Sequence, residues 1–161
     1  MNTRPKALDR LDGMPPWGFT GMLYCVRWLI VIPTAFIVGH LFPTREAAFQ
    51  DADVNILGGI LIAPVLETLL ECAVPYWMMR KLGCIPPNRR AWGFIIVSGI
   101  LMMLLHAGAW PAAILPSFVT GGFLGYTYAH SAPVGFAQAF IHTSVFHASI
   151  NIVGCILVAI A

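Results

Sequence analysis

Five apolar stretches, at about Trp17 to Leu41, Val54 to Met79, Ala91 to Trp110, Ala112 to Ala129 and Val134 to Ile160, take up nearly the whole of this chain. A helix needs about 20 mostly apolar residues to cross the hydrocarbon core of a bilayer, and each stretch is near that length. Hydrocarbon offers the backbone no hydrogen-bond partners, so segments of this kind must be helices that satisfy their own amides and carbonyls. With 58% hydrophobic and only 10% charged residues, the chain also lies far outside the profile of an ordinary soluble domain. The expected fold class is therefore all-α, an integral membrane bundle of about five transmembrane helices. Residues 1–16 form a short segment before it, and residues 17–161 form the transmembrane domain. The first stretch is too long for a signal peptide, and no small-residue cleavage site follows it before the charged loop.

Orientation follows from where the basic residues fall. Arg4, Lys6 and Arg10 precede span one, and Arg80, Lys81, Arg89 and Arg90 lie between spans two and three. After span one, by contrast, Arg45 is set against Glu46, Asp51 and Asp53. Basic loops face the cytoplasm, which puts the amino terminus inside and the carboxyl terminus outside. Topology alone accounts for the basic cluster, so a net charge of +2 calls for no nucleic-acid partner. Cys25, Cys72 and Cys155 lie within spans and Cys84 in a loop, with no CxxC pair; this is the distribution of small buried hydrophobes rather than of a disulfide or zinc framework.

Ionisable residues inside spans are costly and by default face the bundle interior and serve a function. Span one holds Arg27, span two Glu67 and Glu71, span three His106, and span five His142, His147 and Asn151. Glu67 lies 13 residues from Arg80, His106 lies 16 from Arg90, and His147 lies 14 from Pro133. At the helical rise of 1.5 Å per residue, all three fall about 20 to 24 Å from the cytoplasmic ends of their spans. Arg27, Glu71 and His142 fall in a second layer at about 14 Å, where Arg27 and Glu71 are expected to form an ion pair. His147 and Asn151 are four residues apart and share a helix face with Ser144. Gly121 and Gly125, also four apart, predict close approach of span four to a neighbour.

A carboxylate, two imidazoles and an amide in one buried layer suit hydrolysis of an amide bond. The carboxylate serves as general base for a water, an imidazole orients that water or moves a proton, and His147 and Asn151 are placed to donate to an oxyanion. The plainer reading of the same residues is a set of interhelical hydrogen bonds.

These residues resemble the CPBP intramembrane proteases, which include the type II CAAX prenyl-protein endopeptidases and the bacterial Abi proteins linked to bacteriocin self-immunity. The likeness covers about residues 58–157. It is strongest in "GGFLGYTYAHSAPVGFAQAFIHTSVFHASINIVG", where a Gly-rich helix ends in an aromatic pair and the last helix carries HxxxN at His147 and Asn151. The EExxxR motif corresponds to "APVLETLLEC", with Glu67 as its first glutamate, but Thr68 stands for the second glutamate and Cys72 for the arginine. The FxxxH motif corresponds to "MMLLH", with His106 matching and Met102 replacing the aromatic residue.

The resemblance implies an intramembrane endopeptidase in which Glu67 and His106 activate the hydrolytic water and His147 and Asn151 line the oxyanion site. The substrate would be a peptide or a membrane-protein segment cleaved in the outer half of the bilayer. Glu71, Arg27 and Ser144 are supporting candidates, Glu71 with Arg27 replacing the missing acid and base of the motif. No cofactor is expected; zinc held by Glu67, His106 and His147 ranks second, since two histidines and a glutamate are a known catalytic set but the chain lacks HExxH. A prenylated substrate fits poorly with a bacterial chain, because prenylation marks eukaryotic proteins. The family's origin and the short loops point to a bacterial inner membrane. Two other classes compete: a catalytically weak or inactive relative that acts as an immunity factor or partner-binding structural subunit, and a small transporter or proton relay. The transporter reading is disfavoured because neither an internal repeat nor an interrupted helix pair is evident.

Overall fold

Long unbranched and β-branched apolar side chains, with few breakers between them, carry each of the five stretches into a helix. In the computed structural model, residues 13–41, 58–85, 91–106 and 114–160 are described. Among them are five helices and no strand: α1 (Pro16–Leu41), α2 (Gly58–Lys81), α3 (Trp92–His106), α4 (Ile114–Ser131) and α5 (Phe136–Ile160). Each lies on one of the five apolar stretches, so the all-α class is as expected. Two of them, over Gly58–Lys81 and Phe136–Ile156, are long and apolar enough to cross a membrane, and α3 is a shorter apolar helix. The charges that set orientation in the sequence at Arg4, Lys6, Arg10, Arg45, Glu46, Asp51, Asp53, Arg89 and Arg90 lie outside the described residues.

The bundle is apolar outside and polar within. Leu29 and Phe36 are 75% and 76% exposed, and Leu70, Trp77, Leu104, Leu105 and Val145 also face outward. Arg27, Thr68, Glu71, Ser98, Thr120, Thr143 and His147 are buried. Soluble monomers rarely expose contiguous apolar surface on this scale.

Proline shapes α2. Two π-helical segments, Gly58–Ile62 and Thr68–Ala73, each lead into a stretch of α-helix with a proline in its first turn, Pro64 in Ala63–Glu67 and Pro75 in Val74–Lys81. Proline has no amide hydrogen and its ring crowds the carbonyl four residues earlier, so a widened preceding turn relieves the clash while keeping the helix continuous. The Val74 amide accordingly donates to the Leu69 carbonyl, five residues back. Glu67 and Thr68 thus stand at a junction between helix types.

Close approach of α3 and α4 is set by glycine, as the Gly121 and Gly125 spacing predicted. A β-carbon at Gly121 would lie 2.5 Å from Met102 Cβ and 2.6 Å from the Ser98 carbonyl oxygen. At Gly125 it would lie 2.7 Å from Ser98 Cβ, and at Gly99 2.8 Å from the Phe118 carbonyl oxygen. Tyr76 of α2, Phe94 of α3 and Tyr128 of α4 meet ring to ring at centroid distances of 5.1 to 6.2 Å and tie the three helices together. A turn through Gly135, whose φ of 151° is one that L side chains rarely adopt, joins α4 to α5.

Candidate functional site

The contact that organises the interior joins α2 to α5. His147 Nε2 lies 3.1 Å from Glu67 Oε2, with the His147 side chain 1% exposed and that of Glu67 23% exposed. Two of the residues expected in one layer therefore meet directly. With Glu67 as a carboxylate, which only accepts, the Nε2–H of His147 is the donor. Glu67 reaches the surface of the bundle while its histidine is closed off behind it.

His106 is the last residue of α3. Its ring folds back so that Nδ1 donates to the Met102 carbonyl, 2.9 Å away. That bond fixes the tautomer of the neutral ring and leaves Nε2 as an acceptor. His106 lies within electrostatic range of both Glu67 and His147. Met102 is buried, and its Cβ lies against Gly121.

Asn151 is engaged elsewhere. Its Nδ2 donates to the Gly59 carbonyl at 2.8 Å, tying α5 to the π-helical start of α2. The two side chains expected to donate to an oxyanion are thus both occupied, His147 by Glu67 and Asn151 by backbone. Ser144, three residues before His147, is buried with an Oγ that has no partner in the protein.

Arg27 corrects an expectation. It was expected to pair with Glu71, but its Nε and Nη2 donate to Thr120 Oγ1 of α4 at 3.3 and 3.1 Å, and its guanidinium lies over the Trp28 ring at 4.3 Å. Both carboxylate oxygens of Glu71 are buried without a hydrogen-bond partner. The cause is helix register. The Trp17 ring meets the His142 ring at a centroid distance of 3.9 Å, and Tyr24 Oη donates to the Ser149 carbonyl at 3.5 Å, so α1 and α5 run side by side at one offset of 125 residues. By the same offset Arg27 stands level with Ile152, ten residues or about 15 Å beyond His142 and five beyond His147, so it lies nearer the layer of His147 than that of His142. Its electrostatic influence falls on His147 accordingly. His142, the third member of the expected second layer, pairs Nδ1 with Ser131 Oγ at 3.3 Å and serves the packing of α1, α4 and α5.

Three residues of this interior were not singled out in the sequence as polar site residues: Thr120, which accepts from Arg27, and Thr68 and Thr143, whose buried hydroxyls have no partner. Their spacing carried the signal, since Thr68 precedes Glu71 by three residues and Thr143 precedes His147 by four. Cys72 is fully buried with Sγ 3.3 Å from Ser98 Oγ. The four cysteines are all free.

No protein-family model, curated protein or solved structure gives a significant match to the chain. Among the described residues no three histidine, cysteine, aspartate or glutamate side chains are placed to share a metal ion. No chemistry below is routed through a metal.

Proposed function

We propose that the chain is an integral membrane helical bundle of CPBP type that hydrolyses a peptide bond in a peptide or membrane-protein substrate, with Glu67 as general base. The observation that carries this reading is the Glu67–His147 contact at 3.1 Å, buried on the histidine side and open on the carboxylate side. Glu67 takes a proton from a water, whose oxygen bonds to the carbonyl carbon of the scissile amide while the carbonyl electron pair moves onto oxygen. On collapse the C–N bond breaks and the proton passes from Glu67 to the departing amine. His147 holds the Glu67 carboxylate in place, and the His106 Nε2 accepts from the attacking water and orients it. Asn151 keeps the start of α2 against α5 and so sets the distance on which the pair depends.

The membrane reading is supported by the apolar exterior and polar interior of the bundle and by the two helices of spanning length. The placement of basic residues supports a cytoplasmic amino terminus, and the CPBP resemblance with its short loops supports a bacterial inner membrane.

A second reading has its own support. Thr68 and Cys72 replace the acid and base of the motif, and the Asn151 amide is bonded to backbone rather than presented to a substrate. These observations favour a relative without catalysis, acting as an immunity factor or partner-binding subunit. Purified protein in lipid bilayers, incubated with a diverse peptide mixture and read by mass spectrometry, separates the two. Products lost in Glu67→Gln and retained with a chelator support the protease; a folded wild-type protein that yields no products supports the second reading.

A further inference from the structure

Several buried polar atoms of α2 and α5 have no hydrogen-bond partner in the protein. They are the Nδ1 of His147, the hydroxyls of Thr143 and Ser144 on α5, and on α2 the Thr68 hydroxyl and both oxygens of Glu71. All five side chains are at least nine-tenths buried. The register of the two helices brings them to one level. α2 and α5 run antiparallel, Asn151 reaching Gly59 and His147 reaching Glu67, and one turn beyond Glu67 on α2 Glu71 comes level with Thr143 and Ser144. The π-helical segment Thr68–Ala73 packs on α5.

Buried polar atoms in native proteins are satisfied by protein or by ordered water, and a buried water makes about three hydrogen bonds to such groups. We propose that Thr68, Glu71, Thr143, Ser144 and His147 Nδ1 wall a buried water site one helical turn from the Glu67–His147 pair, with His147 as the link between them. Three hydroxyls that both donate and accept, beside a neutral imidazole nitrogen that accepts, suit water as the occupant. The His147 ring spans the two compartments: Nε2 donates to Glu67, and Nδ1 accepts from a stored water. In a protein surrounded by hydrocarbon, such a site holds at hand the water that each turnover consumes. This delivery role, though not the site itself, rests on Glu67 acting as the base.

The test is water-edited carbon-detected solid-state NMR on the full chain in bilayers, with threonine, glutamate and leucine carbon-labelled. Magnetisation from water is expected to reach Thr68, Glu71 and Thr143 several-fold faster than the buried Leu124; equal, slow transfer to all of them overturns the site. Thr68→Val with Thr143→Val is expected to slow transfer to Glu71 several-fold, and Ser144→Ala provides the same comparison if the double variant does not fold. Loss of water transfer to Glu71 on adding sodium or potassium chloride reassigns the site to a cation and overturns the proposal. For delivery, the double variant is expected to lower kcat several-fold at unchanged KM, and an unchanged kcat despite lost hydration removes that role. Absence of cleavage by the wild type defeats the protease reading and leaves the NMR result to decide the water site.

Discussion

Gly121→Ala offers a quantitative test of the packing that holds the site together. Its new β-carbon would sit 2.5 Å from Met102 Cβ and 2.6 Å from the Ser98 carbonyl oxygen, against an optimum of about 3.5–4.0 Å for carbon pairs. The Ser98 oxygen belongs to the backbone, so no rotamer change relieves the overlap; α3 and α4 must separate by about 1 Å along their whole contact. Overpacking of this kind costs about 1–3 kcal/mol, and the better helix propensity of alanine returns about 0.5–1 kcal/mol. The net loss of about 0–2.5 kcal/mol corresponds to a Tm lower by up to about 10 °C for a chain of this size. Gly21→Ala is the matched control, because a β-carbon at Gly21 meets nothing within 4 Å in an otherwise similar helix. Thermal unfolding of both variants in the same detergent, followed by circular dichroism, is the assay. A Gly121→Ala protein as stable as Gly21→Ala refutes the close α3–α4 contact.

Two further outcomes follow from the interior. Thr120→Val leaves the buried Arg27 guanidinium without its acceptor and is expected to destabilise by about 1–3 kcal/mol, whereas Arg27→Met combined with Thr120→Val removes both partners and recovers most of that loss in a double-mutant cycle of unfolding free energies. Asn151→Ala cuts the bond to Gly59 and is expected to cost about 1 kcal/mol and to raise amide hydrogen exchange in residues 58–62 above that of residues 74–81.

The helices were legible because the length of an apolar run needs no knowledge of its neighbours. The same holds for Gly121 and Gly125, whose spacing announces a close contact without saying which helix makes it. Depth along a span was also legible, and it brought Glu67 and His147 to one level before either had a partner. What failed was the comparison of depths across helices that are offset against one another. Arg27 was counted into the layer of Glu71 and His142 from the end of its own span, but the packing of Trp17 on His142 and Tyr24 on Ser149 shifts α1 along α5 and carries Arg27 to Thr120. Asn151 was legible as a member of the interior and not as a tether, because its acceptor is a backbone carbonyl that any sequence would supply. Hydropathy likewise conceals the widened turns before Pro64 and Pro75, which arise from one missing amide hydrogen each.

Turnover of one cleaved peptide in ¹⁸O-labelled water traces the oxygen that a Glu67-activated water would deliver. One labelled oxygen is expected in the new carboxyl terminus of the product, with Glu67→Gln lowering the rate by about 10²–10⁴, the range for loss of a general base. A Glu67→Gln protein that folds normally and incorporates label at the wild-type rate would contradict the assignment.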